Sequence, residues 1–181
     1  VNPWKLSGKA RHSLRTKLCY VPQSPPLPPR QRVVHSVIAG KLPYVGLVES
    51  LISLIHPQFT KSAFEALEEF NLAHKLYERV DQLSGGERQR VSLARAVISK
   101  AALWAVDEPL SALDPDSAMS ALDVLLKHAK ARGITLICTL HQVDMALRFF
   151  PRIIAMRQGK IYFDGSSSSI DQSLLMKVYE S

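Results

Sequence analysis

Cysteine is scarce in this chain: Cys19 and Cys138 are the only two among 181 residues. They stand far apart, each in an apolar, strand-like segment, so they offer no disulfide framework and read as buried free thiols in a reducing compartment. Long apolar runs are missing as well. None reaches the roughly 18 residues of a membrane-spanning helix, and no secretory-signal pattern opens the sequence. There is no internal repeat and no low-complexity segment. The composition, 46% hydrophobic and 22% charged, is that of a soluble globular protein with one core and room for a small inserted lobe. A net charge of +7 favours an anionic partner, whether nucleotide, nucleic acid or lipid surface, without choosing among them. The first residue is Val1, and the expectation is a processed or partial sequence.

The chain is organised around the octapeptide Leu83 to Arg90, LSGGERQR. A serine and two glycines precede a helix-compatible run from Glu87 to Ile98. That layout offers backbone N–H groups and a hydroxyl at a helix N-terminus, where the dipole favours an anion. Gly85 and Gly86 let the backbone come close to a ligand. Taken alone, the octapeptide reads more simply as a Ser-capped helix after a glycine turn.

Before it, residues 5–17 are basic and predicted helical, with Lys5, Lys9, Arg11, Arg15 and Lys17 around Leu6 and Leu14. A solvated helix face is the plainer reading and a membrane-proximal surface the other. Leu18 to Val21 reads as a short buried strand, and Pro22 to Pro29 as an exposed, proline-stiffened loop. Residues 32–80 look helical throughout, with one stripe at Val33, Val34, Val37 and Ile38 and another at Phe64, Leu67, Phe70 and Leu72, broken by Pro43 and Pro57. The apolar stretch Tyr44 to Ile55 suits a docking surface as well as a core. After the octapeptide, Ala102 to Val106 is an apolar run expected of a parallel strand buried on both faces. Asp114-Pro115 starts a helix to about Ala131, ended by Gly133. Ile134 to Thr139 is the next buried strand, Val143 to Phe149 the next helix, and Gln158-Gly159 the turn of a hairpin. A terminal amphipathic helix is expected over 170–179. Alternating buried strands and helices predict an α/β fold with a largely parallel sheet.

Asp107 and Glu108 end a buried strand, at the sheet edge where ligands of such folds bind. An Asp there can hold Mg²⁺, and a following Glu can polarise a water for attack on a phosphate. A solvated strand end is the plain alternative. A second strand end carries Thr139-Leu140-His141, and Gln23 follows the first strand directly. Ser111 to Asp114 forms a polar turn just beyond the carboxylates.

In this order the residues resemble the ATP-binding cassette (ABC) ATPases. Gln23 matches that family's Q-loop, Leu83 to Arg90 its signature, and Leu103 to Glu108 its Walker B strand with the catalytic Glu. Ser111 to Asp114 resemble the D-loop and His141 the switch histidine. The resemblance implies a P-loop NTPase-like parallel sheet core with an inserted helical subdomain. Its parts would be 1–31 (basic helix, strand, Q-loop), 32–82 (helical subdomain), 83–165 (signature, Walker B, D-loop and switch-histidine core) and 166–181 (C-terminal helix). It implies ATP and Mg²⁺ as cofactors. Asp107, with Gln23, would serve the metal; Glu108 and His141 would be catalytic. Gln23, Ser84, Gly85, Gly86, Glu87 and Asp114 would meet nucleotide, with Ser84 and Gly86 contacting the γ-phosphate held by an opposite subunit. The implied partners are transmembrane permease subunits, a second ATP-binding subunit and, indirectly, a periplasmic or extracellular substrate-binding protein; no nucleic acid is implied. The implied location is the cytoplasmic face of the bacterial inner membrane. The apolar Tyr44 to Ile55 then reads as part of the permease-docking surface.

The stretch from Ile134 through Asp144 and beyond is similar to ATP-binding subunits of phosphonate importers, above all His141 to Asp144 and Ala146 to Arg148. Residues 36–42 and 72–86 share that similarity. The chain departs from the family in one respect: no G-x-x-x-x-G-K-S/T occurs, and Gly8-Lys9-Ala10 is the nearest approach. The expectation is an ABC ATPase lacking its N-terminal strands, phosphate-cradling loop and adenine-stacking aromatic, with an exposed sheet edge. Trp104 is also bulkier than the aliphatic usual there. Three readings stand: an importer ATPase subunit, for phosphonates or another anion such as phosphite or phosphate; a non-catalytic remnant or permease-docking module; and a soluble ABC protein acting on nucleic acid, which the sequence after 133 disfavours.

Overall fold

The computed structural model describes residues 2–55 and 58–171. They fall into two compact units, one through Thr139 and one from Leu140. In the first unit, β1 (Leu18–Val21), β2 (Leu103–Asp107) and β3 (Thr135–Thr139) form a parallel sheet in the order β1-β2-β3. Leu18 faces Leu103 and Leu103 faces Thr135; Val21 faces Val106 and Val106 faces Cys138. In-register parallel strands finish at one edge, so the residues just after β1, β2 and β3 are brought together however distant in sequence.

The three strands were expected to be buried, β2 on both faces; among the described residues of the first unit only one face of the sheet joins the core. Val21, Trp104 and Val106 join the core, with Cys19, Leu136 and Cys138 packed against it. On the other face Tyr20 is 60% and Ile137 55% exposed. The bulky Trp104 is fully buried, its Nε1 donating to Ser99 Oγ at 3.2 Å and its ring under the Arg132 guanidinium at 5.0 Å. Tryptophan therefore fits this strand through a polar handle and a cation on its π face.

α1 is shorter than the basic run, Gly8–Arg15, and starts at the Ser7 cap. The stretch 32–80 is not one helical run. It breaks into α2 (Val33–Ile38), α3 (Leu47–Ile55) and α4 (Thr60–Glu69), with 3₁₀ turns at Leu42–Tyr44, Ala73–Lys75 and Val80–Gln82. Pro43 sits in the first of these turns, and Asn71, at φ 57°, turns the chain away after α4; Pro57 lies outside the described residues. Val33, Val34, Val37 and Ile38 are buried as the stripe predicts, as are Leu67, Phe70 and Leu72, whereas Phe64 is exposed. Both ends of the segment are laced together. Val33 and Val34 donate to the Glu78 and Leu76 carbonyls, and Val80 and Asp81 to those of Gln31 and Pro29.

α5 (Gly85–Val97) is the central helix, with α2, α4, β1 and α6 (Pro115–Arg132) packed on it. Gly40 permits the α2 approach, since a Cβ there would overlap the Arg95 carbonyl oxygen. α6 begins at Asp114-Pro115 and ends at Gly133, which takes the left-handed conformation at φ 63°. Glu69 ties α4 to α6 through His128 at 2.7 Å and Lys127 at 3.1 Å. On α3, by contrast, Leu47 (78%) and Val48 (71%) stand open with Leu51 and Ile52.

The second unit holds α7 (Val143–Phe149) and the antiparallel pair β4 (Arg152–Arg157) and β5 (Lys160–Ser166). Gln158 and Gly159, at φ 50° and 75°, form the hairpin turn, and Arg152 grips Asp164 with two bonds of 2.8 Å. Apart from its first two residues, the helix expected over 170–179 lies outside the described residues. Among the described residues no helix is long and apolar enough to cross a membrane.

Candidate functional site

The sheet edge assembles the predicted carboxylates with neighbours more than 30 positions away. Asp107 closes β2 and Glu108 follows it, both half-buried. Gln23, two residues past β1, donates from Nε2 to Glu108 Oε2 at 2.6 Å. Thr139, the last residue of β3 and register partner of Asp107, donates its hydroxyl to Asp107 Oδ1 at 2.6 Å and accepts the Glu108 N–H at 2.9 Å. Tyr20 adds its hydroxyl to Asp107 Oδ2 at 3.3 Å. Gln23, Asp107 and Glu108 are thus brought together as the sequence suggests. Tyr20 and Thr139 are partners that motif reading missed. Their signal was positional: each lies in a strand beside β2, and only the parallel register reveals what faces Asp107.

Glu108 adopts φ 44°, a left-handed conformation that costs an L residue on the order of 1–3 kcal/mol unless its surroundings hold it. They do so from both sides. Thr139 takes its N–H, and Ser111 donates both its hydroxyl (3.2 Å) and its N–H (3.4 Å) to the Glu108 carbonyl. Beside this step Cys138 is a poor nucleophile: burial, and then the nearby Asp107 charge, push its thiol up to about 12. Desolvation first, then the Asp107 charge and hydrogen bond, likewise push the Tyr20 phenol up and keep it a donor.

The octapeptide builds a reciprocal cap. Ser84 Oγ accepts the Glu87 N–H at 3.2 Å, and Glu87 Oε2 accepts the Ser84 N–H at 2.7 Å. The Ser84 backbone N–H holds the Glu87 carboxyl below its usual range. The two glycines differ. A Cβ on Gly86 would stand 2.8 Å from the Ala112 carbonyl oxygen, whereas one on Gly85 would meet only Ala112 Cβ at 3.9 Å. Gly86 is therefore where the signature helix packs onto the 111–114 turn. Asp114 caps α6 through the Ser117 N–H at 3.0 Å, and that bond holds its carboxyl low. His141 belongs to the second unit, exposed in the turn before α7.

Among the described residues no cluster of three His, Cys, Asp or Glu forms a metal cage. The carboxylate oxygens of Asp107 and Glu108 suit a hard cation held by one or two carboxylates and completed by substrate phosphates. A cavity of about 490 Å³ lies between α4 and residues 73–77, on elements that carry none of these side chains.

Comparison with known proteins gives the family. The ABC transporter family model matches residues 1–111, more than half of the chain. The chain belongs to the ABC transporter family. It is 51% identical over 178 residues to the phosphonates import ATP-binding protein PhnC of Polaromonas sp. (strain JS666), covering 98% of this chain and 64% of that protein. It is 48% identical over 177 residues to phosphonates import ATP-binding protein PhnC 1 of Pseudomonas aeruginosa (strain PAO1), covering 98% and 66%. The chain thus spans just under two thirds of the length of these curated relatives. Among solved structures it resembles a dimeric ATP-binding cassette in a post-hydrolysis state bound to ADP and Pi, with TM-score 0.75 and 25% identity over 92% of this chain and 70% of that one. An ATP-binding subunit of an ABC transporter matches in fold at TM-score 0.76 and 19% identity, covering 94% and 71%. For this ABC family member the three-stranded parallel sheet, the central α5 and the mixed α/β layering are the expected P-loop NTPase-like core.

Proposed function

We propose that the chain is part of the ATP-binding and hydrolysing subunit of an ABC importer for phosphonates. The observation that carries this reading is the carboxylate step: Asp107 and Glu108 side by side, Gln23 on Glu108 at 2.6 Å, and the hydroxyl of Thr139 on Asp107. The names of its half-identical relatives support phosphonate as the cargo.

In this reading Asp107 offers oxygens to Mg²⁺, and Glu108 orients and polarises the attacking water. Magnesium-bound ATP supplies the phosphoryl bond to be broken and the charge neutralisation that lets it break. Gln23 holds the Glu108 carboxylate and lies in the loop through which a permease would be sensed. By the family resemblance, His141 would contact the γ-phosphate. Ser84, Gly85, Gly86 and Glu87 present their helix N-terminus to nucleotide held by a second ATP-binding subunit, while Asp114 supports the turn at that interface. The open apolar face of α3 receives a permease helix, and a substrate-binding protein acts on the far side of the membrane. The subunit works peripherally at the cytoplasmic face of the inner membrane, without nucleic acid. Residues 32–82 then act as the helical subdomain; at the start of the C-terminal helix expected over 166–181, Ser166 instead ends β5 and Ser167–Ser169 forms a 3₁₀ turn.

A second reading, a permease-docking module that cannot bind ATP alone, concerns these 181 residues taken by themselves, which contain no G-x-x-x-x-G-K-S/T. Deleting the gene and restoring either the wild-type sequence or Glu108→Gln tests both. Growth on a phosphonate as sole phosphorus source should return with the wild type and not with the variant. Equal rescue by both favours the docking module, and recovered uptake of phosphite or phosphate alone points to the other anions.

A further inference from the structure

Resting on the ATPase reading of the Asp107-Glu108 pair, we infer that Thr139 is the positioning residue of the site, a single hydroxyl that fixes the metal-side carboxylate and the backbone of the catalytic glutamate together. A threonine hydroxyl has one proton to donate and lone pairs to accept with. Here the carboxylate Oδ1 of Asp107 can only accept, at 2.6 Å, and the Glu108 N–H can only donate, at 2.9 Å. The orientation of the hydroxyl therefore has one solution, and the short bond to Asp107 is of the charge-assisted kind. The second half of the argument is the strained φ of 44° at Glu108. Ser111 holds the carbonyl side of that residue and Thr139 the N–H side. Without the hydroxyl the Glu108 N–H loses this partner, and the strained backbone loses its hold on that side. Asp107 at the same time keeps only the longer bond from Tyr20 among the donors described above. The β-branch of threonine adds stiffness at χ1, which suits a residue at a strand end that must hold one direction.

The test compares Thr139→Val, which keeps the shape and loses the hydroxyl, with Thr139→Ser, which keeps the hydroxyl. Amide hydrogen exchange in the ¹⁵N-labelled 181-residue chain should be about tenfold faster at Glu108 in the valine variant, the loss expected for one hydrogen bond, and within about threefold of wild type in the serine variant. Ala105 and Val106 on the same strand should stay within about twofold in both. In the importer assembled around the chain, Thr139→Val should lower kcat about tenfold or more with KM for ATP within about threefold, and Thr139→Ser should recover most of it. Unchanged exchange at Glu108 in Thr139→Val overturns the inference, as does equal acceleration along the whole of β2, which marks general loosening. So does an unchanged kcat. If the wild-type assembly turns over no ATP, the ATPase reading fails by itself, and the exchange at Glu108 still decides whether Thr139 sets the backbone.

Discussion

Gly85 and Gly86 are adjacent, open the same helix and belong to the same motif, yet alanine should act on them in opposite directions. Alanine is preferred over glycine within a helix by up to about 1 kcal/mol. At Gly85 the new methyl would meet only Ala112 Cβ at 3.9 Å, an ordinary contact. Gly85→Ala should therefore be neutral or stabilise by about 0.5–1 kcal/mol. At Gly86 the methyl would stand 2.8 Å from the Ala112 carbonyl oxygen and 3.3 Å from Leu113 Cδ2. The oxygen is backbone and cannot swing aside, so α5 must tilt or the 111–114 turn must retreat. Overpacking of this kind costs about 1–3 kcal/mol, and after the helix gain a net loss of up to about 2 kcal/mol is expected. At about 2–4 °C per kcal/mol for a chain of this size, Gly86→Ala should melt several degrees below Gly85→Ala. Thermal melts followed by circular dichroism, with urea titrations alongside, measure the gap. Because Ser111 in that turn holds the Glu108 carbonyl, Gly86→Ala should also move the Glu108 amide resonance while Gly85→Ala leaves it in place. Gly86→Ala melting at or above Gly85→Ala would refute the packing argument.

The purified 181-residue chain should show little ATPase activity, since it has no phosphate-cradling motif; turnover at an ordinary transporter rate, abolished by Glu108→Gln, would contradict this. Glu87 should contribute an acid limb to stability. Its folded carboxyl is held low, so its contribution is present above the unfolded value of about 4.3 and disappears as pH falls through the lower folded value. Denaturation midpoints of wild type and Glu87→Gln should therefore converge below about pH 4, and parallel curves at every pH would count against the cap. Val48→Glu on the open face of α3 should change stability by less than about 0.5 kcal/mol while weakening co-purification with a permease; a large drop in melting temperature would mean that the face is covered.

Much of the site was legible because it is local. The helix cap at Ser84, the Asp114-Pro115 start, the Gly133 stop and the Gln158-Gly159 turn are each set by neighbours a few residues away, and the structure has them where the pattern puts them. Burial of the strands was misjudged because an apolar run records what a strand could bury, not how many faces find a partner. Tyr20 and Ile137 are apolar in sequence and open in the fold. The 32–80 segment misled for a related reason. Its helical stripes are real, but 3₁₀ turns and the lacing of 29–34 to 76–81 divide it, and these are long-range events.

By itself the sequence determined the order of the chemical groups, a glutamine, a signature, two carboxylates and a histidine, together with the caps and turns that start and stop their elements. Only the tertiary structure decided which groups meet. Parallel register set Thr139 against Asp107 and carried Gln23 to Glu108 across 85 positions. Packing of Gly86 on the Ala112 carbonyl separated two glycines that the motif treats alike. The left-handed backbone of Glu108 is held partly by its own turn, where Ser111 takes its carbonyl three residues on, and partly by Thr139, whose hydroxyl reaches its N–H from β3.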